Sequence, residues 1–431
     1  MARAVLLAGL QFGDEGKGSV TDFLCSRGYN LVVRYNGGPQ AAHNVVFWRN
    51  GQRVHHCFSQ FGSGSFHGAK TILSRHMAID PPALLEEGRV LESKGVPAFD
   101  LLRVDEACTV ITPYHRIANR MREMTRSVRH GSCGVGVGEA VLDREKGAPG
   151  IQVGENAGHL RRKLEEIREY KIESLKGLRD FSQETESLFQ DLLEKRVTEV
   201  FASYFQQIIS RVRVSGEAEL REAVKNHSTV FEGAQGVLLD RDSGFFPYVT
   251  PSKTTLALAE EWIAGLDLEV HRVGVMRSYT VRHGAGPMPG ETKEEALARV
   301  LRDEHNIDSP WQGSLRTGWL DLVLLRYALS VCKVDSIAVT GLDRMAEWRF
   351  CEKYDLGGED FYSLGPGGRG GEFTRRLMNA SGYFSEPVDA GALLQKIESV
   401  CGVPVLIEST GPAAPDKKVH PDFPIPENNS G

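Results

Sequence analysis

Short apolar segments rich in β-branched residues alternate along the chain with longer segments that have the periodicity of helices. This alternation predicts an α/β fold in which a large, mostly parallel central sheet is flanked by helices. The strand-like segments are residues 4–8, 31–33, 71–73, 229–231, 273–275, 336–339 and 403–407.

A long, strongly charged helical stretch interrupts this alternation at about residues 158–214. Its mixture of charged and apolar positions is typical of a solvated helical layer. We therefore expect a single domain over residues 1–431, with this stretch as a helical subregion. The C-terminal tail after Pro412 is expected to be poorly ordered.

Composition limits the functional classes to which the protein can belong. The chain has 431 residues, of which 41% are hydrophobic and 25% are charged, as in an ordinary globular enzyme. Its formal net charge of −6 disfavours a non-specific nucleic-acid binder, and it has no run of 18 apolar residues that would span a membrane. Seven cysteines without a CxxC pair indicate free thiols in a reducing compartment. We expect a cytoplasmic protein that has neither nucleic acid nor a membrane as a partner.

The glycine-rich turn from Gly13 to Gly18 follows the first strand-like segment and contains both an acid, Asp14, and a cation, Lys17. Glycines let successive backbone N–H groups converge on an anion, and a helix beginning near Ser19 would add its positive end. The spacing is not that of a Walker A motif, and the glycines alone fit a tight strand-to-helix connection equally well. An acid among phosphate-binding amides, however, is unfavourable unless it binds a metal or moves a proton. The acid therefore favours phosphate chemistry at this turn.

A second polar loop, at residues 34–44, follows the next strand-like segment and contains His43. The ends of neighbouring parallel strands share one edge of a sheet, so His43 could face Asp14 across a ligand. For a single histidine on such a loop, a structural role is the commoner alternative.

Seven motifs occur in the order found in the adenylosuccinate synthetase family, which the chain resembles over nearly its whole length. They are FGDEGKG at residues 12–18, RYNGGPQAAHN at 34–44, FEGAQG at 231–236, YVT at 248–250, GAGP at 284–287, RTGWLD at 316–321 and STGP at 409–412. The resemblance implies a fold related to P-loop GTPases, a homodimer, and a ligase that makes adenylosuccinate from IMP, L-aspartate and GTP with Mg²⁺.

The resemblance also implies roles for individual residues. Asp14 would remove the N1 proton of the purine so that O6 attacks the γ-phosphate, and His43 would hydrogen-bond the O6 and phosphate oxygens as charge moves. Lys17 would neutralise phosphoryl oxygens, and Asp14 and the carbonyl of Ala42 would hold Mg²⁺. An amine then attacks C6 and expels phosphate. The implied donor-binding residues are Gly13, Glu15, Gly16, Lys17, Gly18, Asp343, Ser409 and Gly411, and the implied purine-binding residues are Asp14, Gln40, Ser132, Cys133, Gln235 and Thr250.

Two binding elements depart clearly from the family pattern. Gly341 replaces a lysine in the guanine-reading element at residues 340–343, so ATP is a plausible donor beside GTP. Arg316 is the one arginine at residues 313–316, where the family has several that grip the aspartate carboxylates. Arg316 is therefore the predicted amine-donor residue, and the use of L-aspartate is less secure than the phosphoryl chemistry.

Two further positions differ from the family. Cys133 stands where a threonine is usual, and a thiol is a poorer hydrogen-bond donor than a hydroxyl. The arginine that the family contributes across the dimer has no clear counterpart at residues 148–152. The cations that could compensate for it are Arg277, Arg282 and Lys253.

Other functions stay open beside this ligase. A viral branch of the family makes a 2-aminoadenine precursor from a guanine deoxynucleotide, but there a smaller residue characteristically replaces the acid that Asp14 represents. A nucleotide-binding protein that had lost the aspartate site would keep the phosphate loop, and the missing arginines favour it. A P-loop GTPase switch is disfavoured because the Walker spacing is absent. Asp14, Lys17 and His43 together favour the enzyme, since a binding protein needs no base opposite an acid.

Overall fold

The computed structural model describes residues 2–127, 129–301, 311, 313–365 and 370–426. The strands within these ranges are β1 (Ala2–Gly9), β2 (Leu31–Arg34), β3 (His43–Arg49), β4 (Gln52–Phe58), β5 (Lys70–Leu73), β6 (Ala78–Ile79), β7 (Leu102–Asp105), β8 (Thr109–Val110), β9 (Arg213–Ser215), β10 (Thr229–Gly236), β11 (Leu268–Arg277), β12 (Tyr279–His283), β13 (Leu315–Asp321), β14 (Ser336–Thr340), β15 (Phe350–Asp355), β16 (Asp360–Phe361), β17 (Ser381–Phe384), β18 (Val405–Ser409) and β19 (Lys417–Val419). The α-helices are α1 (Lys17–Ser26), α2 (Pro81–Ser93), α3 (Pro113–Met124), α4 (Val137–Glu145), α5 (Leu160–Leu175), α6 (Gln183–Leu193), α7 (Lys195–Ile209), α8 (Glu217–Lys225), α9 (Ala257–Ile263), α10 (Glu295–Leu301), α11 (Leu322–Val331), α12 (Gly371–Met378) and α13 (Ala390–Cys401).

Ten strands form one large sheet in the order β19-β18-β14-β11-β1-β10-β2-β5-β7-β9. Every neighbouring pair is parallel except β18 and β19, which are antiparallel. All seven predicted strand segments fall within or overlap strands of this sheet. The predicted α/β fold with a large, mostly parallel sheet is therefore confirmed.

Strand β1 shows why the sequence of a central strand in this sheet is a continuous apolar run. Leu6 packs into the cluster on one face, and Val5 and Leu7 pack into the cluster on the other face, beside Val20 of α1. A parallel strand covered on both faces has no solvent side and therefore no polar alternation. The glycine-rich turn from Gly13 to Gly18 lies a few residues beyond its carboxyl end.

Two smaller β units extend from the main sheet. Strand β12 begins two residues after β11 ends and is the first strand of a second sheet. In this sheet β12 pairs antiparallel with β13, and β15 pairs with β13, β16 and β17. Strands β3 and β4 form a hairpin in which His43 pairs with Phe58. The second sheet and the hairpin lie beside the carboxyl edge of the main sheet and carry side chains to it.

The charged stretch at residues 158–214 is helical, with α5, α6 and α7 packing their apolar faces into one cluster that includes Leu164, Phe189 and Phe205. The division into one domain with this helical subregion stays a prediction. None of the helices in the described ranges is long and apolar enough to cross a membrane.

The expectation for the tail is wrong for residues 413–426. There β19 pairs antiparallel with β18, and the ring of Phe423 is buried in the cluster beside α1. Backbone hydrogen bonding at a sheet edge and one buried aromatic ring supply the order that terminal position alone does not predict. Residues 427–431 lie outside the described residues.

Candidate active site

A cleft with a volume of about 880 Å³ lies at the carboxyl ends of β1, β10, β11, β14 and β18. In open parallel sheets this edge is where ligands bind. The walls contain most of the side chains singled out from the sequence. The predicted residues that line the cleft are Gly13, Asp14, Gly16, Lys17, Gly18, Gln40, Ala42, His43, Ser132, Cys133, Gln235, Thr250, Asp343, Ser409 and Gly411.

The turn after β1 is held in shape by the carboxylate of Glu15, which points away from the cleft. Its Oε1 accepts hydrogen bonds from the backbone N–H groups of Gln11 at 3.0 Å and Gly13 at 2.8 Å, and its Oε2 accepts one from Lys17 Nζ at 2.5 Å. Asp14 has a left-handed backbone, with φ of 59°, which is rare for a residue other than glycine. The buried Glu15 thus fixes a strained turn that keeps Asp14 on the cleft wall, and Glu15 itself offers the cleft only its backbone.

The close approach of α1 to β3 depends on Gly18. Helix α1 begins at Lys17, and a Cβ on Gly18 would lie 2.5 Å from Cβ of His43. Glycine at this position therefore lets the first residue of β3 rest against the first turn of the helix. Lys17 and His43 therefore lie close together in the lining of the cleft, whereas the sequence predicted only that His43 could face Asp14 across a ligand.

His43 is oriented by Glu232, a fully buried acid on β10. The ring Nδ1 lies 2.6 Å from Glu232 Oε1, and the other oxygen of Glu232 accepts from the backbone N–H of Ser63 at 3.0 Å. Burial by itself raises the pKa of Glu232, but the charges of His43 and Arg34 outweigh it and hold the pKa at about 2. Glu232 is therefore a carboxylate that accepts the Nδ1 proton of His43. The pKa of His43 is lowered, chiefly because the ring is buried.

Two side chains, at the ends of β11 and β12, contact Asp14. Arg277, the last residue of β11, donates from Nε to the backbone carbonyl of Asp14 at 2.5 Å. His283, the last residue of β12, places Nε2 at 3.5 Å from Oδ2 of the Asp14 carboxylate. Both side chains also line the cleft.

The other predicted purine-binding residues also line the cleft. The side-chain amide of Gln40 and the amide oxygen of Gln235 are buried and have no hydrogen-bond partner among the described residues. Buried amides without partners are uncommon in folded proteins, and a bound nucleotide would satisfy them. Thr250 also lines the cleft.

Helix α3 supports the loop that carries Ser132 and Cys133. Asn119 donates to Ser132 Oγ at 2.8 Å, and the buried carboxylate of Glu123 accepts from the backbone N–H of Gly131 at 2.9 Å. Burial raises the pKa of the Cys133 thiol, so it remains protonated and a weak donor. The loop is thus fixed by α3, and the Ser132 hydroxyl in turn donates to Asn119 Oδ1 at 3.0 Å.

The chain around Gly341 has no room for a longer side chain. Gly341 has φ of 75°, and a Cβ there would lie 2.8 Å from Cε1 of the buried ring of Tyr279. Asp343 and Arg344 line the cleft beside it, and Ser409 Oγ donates to the carbonyl of Gly411 at 2.9 Å. The lysine of the family pattern is therefore replaced by a glycine that the neighbouring tyrosine requires.

Arg316 does not line the cleft. Its guanidinium pairs with Glu291 and donates to the carbonyls of Gly284 and Gly286 at 3.2 and 2.8 Å. The neighbouring Arg282 does line the cleft, and it donates to the carbonyls of Ala285, Pro287 and Tyr248 in the same region. Burial lowers the pKa of Arg282 to about 9. An amine-donor role for Arg316 stays a prediction, and in this structure it braces the loop at residues 284–287.

Three residues of the site had no assigned role in the sequence analysis. Glu232 could have been found, because an acid inside an apolar strand segment needs a partner when it is buried. Asn119 and His283 gave no such signal. They reach the cleft from α3 and from the second sheet, whose positions relative to the main sheet are not encoded in local patterns.

Comparisons with known proteins agree on one family. A family model for adenylosuccinate synthetase matches residues 6–417. Adenylosuccinate synthetase from Alkalilimnicola ehrlichii is 33% identical over 96% of both chains, and that from Nitrosococcus oceani is 32% identical over 95% of this chain and 96% of the relative.

Two solved structures share the fold. The fully ligated adenylosuccinate synthetase from Plasmodium falciparum has a TM-score of 0.80 at 22% identity and covers 96% of this chain and 99% of its own. The succinoaminodeoxyadenylate synthetase of cyanophage S-2L, bound to dGMP and to dATP as an energy donor, has a TM-score of 0.62 at 17% identity and covers 97% of this chain and 95% of its own. The sequence matches and the shared architecture lead to one assignment: the chain belongs to the adenylosuccinate synthetase family, a family of C–N ligases.

Proposed function

We propose that this protein phosphorylates O6 of a purine nucleotide and then joins the amine of L-aspartate at C6, with IMP as the purine. Asp14 takes the N1 proton, so that O6 becomes the nucleophile toward the γ-phosphate of the donor. His43 and Lys17 stabilise the phosphoryl oxygens as charge shifts during transfer. Phosphate then leaves C6 as the amine attacks, and it is a far better leaving group than hydroxide.

The observation that carries this proposal is the meeting of Asp14, Lys17 and the Glu232-held His43 on one wall of a single cleft. Because a carboxylate beside phosphate-binding amides is unfavourable for mere binding, its presence there supports proton transfer. The unpartnered amides of Gln40 and Gln235 support a purine nucleotide as the group that fills the cleft. A nucleotide-binding protein without catalysis would need neither the acid nor the oriented imidazole.

The residues present fit a magnesium ion. Asp14 and Ala42 both line the cleft, and Mg²⁺ prefers oxygen ligands and usually combines one or two carboxylates with substrate phosphates and water. Within the described residues there is no cluster of three or more His, Cys, Asp or Glu side chains that could hold a metal without the substrate. Bound with the nucleotide, Mg²⁺ would neutralise charge on the transferring phosphoryl group.

We further propose that the donor preference is relaxed, so that ATP serves beside GTP. Asp343 retains an acceptor for the guanine N–H groups, while Gly341 gives no stem to support the base. The proposed homodimer and cytoplasmic location follow from the family pattern and the cysteine content, and they stay predictions.

A matrix of phosphate-release assays tests the function. IMP, GMP and dGMP are each combined with GTP, ATP and dATP, with and without L-aspartate, and products are identified by mass. We expect aspartate-dependent phosphate release and adenylosuccinate with IMP. Activity with GMP or dGMP alone would favour the 2-aminoadenylosuccinate alternative, for which the phage fold neighbour is the precedent. Absence of aspartate-dependent turnover in every combination would contradict the proposal.

A further inference from the structure

His283 lies next to Asp14 but has no part in the chemistry proposed above. It is the last residue of β12, where its backbone pairs with Leu315 of β13. The adjacent Arg282 is anchored by three carbonyl oxygens. The imidazole is thus carried on a regular, well-held strand end and not on a free loop.

The two nitrogens of the His283 ring have different surroundings. Nε2 faces Asp14 Oδ2 at 3.5 Å, whereas Nδ1 is buried and has no hydrogen-bond partner among the described residues. A proton on Nδ1 would be a buried donor without an acceptor, which is more unfavourable than a bare nitrogen there. The neutral ring with its proton on Nε2 therefore suits this site, and that proton points toward Asp14.

Apart from the magnesium ion proposed above, little holds the Asp14 carboxylate. The structure gives Asp14 a hydrogen bond through its backbone carbonyl, but none of the described residues makes a hydrogen bond to either carboxylate oxygen. A general base must keep one oxygen aimed at the proton that it removes, and a misplacement of about 1 Å is enough to slow a reaction about a hundredfold. At 3.5 Å the contact with His283 is too long for a good hydrogen bond, and such contacts often tighten only when substrate is bound.

We propose that His283 is a positioning residue for Asp14: its Nε2–H donates to Oδ2 in the substrate complex and leaves Oδ1 free to take the purine N1 proton. This inference rests on the proposed function, because it assumes that Asp14 is the base. It assigns His283 to the phosphoryl-transfer step and gives it no contact with the amine donor.

The test compares His283→Leu, which removes the donor, with His283→Gln, whose side-chain amide can place an N–H group near the position of Nε2. His271→Leu is the matched control, because His271 is a partly buried histidine on β11 with one hydrogen bond, to Ser336. Single-turnover formation of the nucleoside diphosphate is measured with the purine and donor that are most active in the wild type. Equilibrium purine binding and thermal melting are measured on the same proteins.

We expect His283→Leu to slow phosphoryl transfer about tenfold or more while purine affinity stays within about threefold, and His283→Gln to recover most of the rate. Weaker purine binding with an unchanged transfer rate would overturn the inference and make His283 a substrate contact. An unchanged rate in His283→Leu, or failure of glutamine to recover any activity in a protein that binds purine and melts like the wild type, would also overturn it. An inactive wild type would instead overturn the proposed function, and this inference with it.

Discussion

Replacing Glu232 with glutamine removes one negative charge from behind His43 and keeps the size of the side chain, while its NH2 group takes the place of the oxygen that accepts from the backbone N–H of Ser63. Glutamine keeps an oxygen that can accept the Nδ1 proton of His43, which lies 2.6 Å from the carboxylate. It cannot stabilise a positive charge on the ring. If His43 gains positive character while the phosphoryl group moves, the loss falls on the transfer step and not on nucleotide binding.

The size of the effect follows from the burial of this pair. Both side chains are almost completely buried, so solvent screens their interaction little. A hydrogen bond to a charged group contributes about 1.5–3 kcal/mol, and a tenfold change in rate corresponds to about 1.4 kcal/mol. We therefore expect Glu232→Gln to slow phosphoryl transfer about 10- to 100-fold, with donor and purine affinities changed by less than about threefold.

The assay is rapid-quench measurement of a single turnover with saturating purine and donor, beside calorimetric titration of each nucleotide. Glu87→Gln is the matched control, because Glu87 is another acid bound to backbone N–H groups, those of Ser59, Gln60 and Phe61, and it does not line the cleft. A transfer rate within twofold of the wild type would refute the reasoning. So would a loss confined to nucleotide affinity, because it would make Glu232 a purely structural support.

Three other outcomes are expected. Asp14→Asn should lower phosphoryl transfer about 10²- to 10⁴-fold while nucleotide binding remains measurable by titration, and retention of half the wild-type rate would show that the acid is structural. The ratio of kcat/KM for GTP to that for ATP should stay below about one hundred, which is about 2.7 kcal/mol. Gly341→Lys should lower the melting temperature without raising this ratio, because the Tyr279 ring fills the space. A stable Gly341→Lys variant with a strong GTP preference would contradict this. Stability should also depend on Glu232 with a definite sign: its pKa is lowered from 4.5 to about 2, so its contribution is complete above pH 4.5 and is lost as the pH falls through 2. In denaturant titrations the wild type should be more stable than Glu232→Gln near pH 6, and a gap that does not close toward pH 2 would refute this.

The main sheet and the glycine-rich turn could be predicted because local sequence patterns determine both. Strands buried on both faces are continuous apolar runs, and Gly13 to Gly18 is a compact string whose residues fold back on one another. The meeting of Asp14 and His43 could also be anticipated, since parallel strands end at a common edge. For these features, periodicity and strand direction carry nearly all of the information.

The remaining wall of the cleft could not be predicted in the same way. His283 reaches Asp14 because β12 turns out of the main sheet immediately after β11, and Arg277, the last residue of β11, stands at that turn. No apolar period marks that change of sheet. Arg316 was expected to face a ligand as the surviving arginine of its loop, but Glu291 and two backbone carbonyls take up its guanidinium. Competition among partners of this kind is decided by tertiary packing, which the spacing of residues does not reveal.

Two departures from the family pattern, Leu315 and Gly341, both pack against Tyr279. Leu315, in the loop where arginines are usual, is buried in a small apolar cluster with Tyr279 and Val281. The same Tyr279 ring excludes a side chain at Gly341. One packed tyrosine on β12 thus lies between the donor-base element and the amine-donor loop, while Asp14, Lys17 and His43 are untouched by it. The residues that we propose for phosphoryl transfer are kept in this protein, and what has changed is the set of side chains that would read the donor base and the amine.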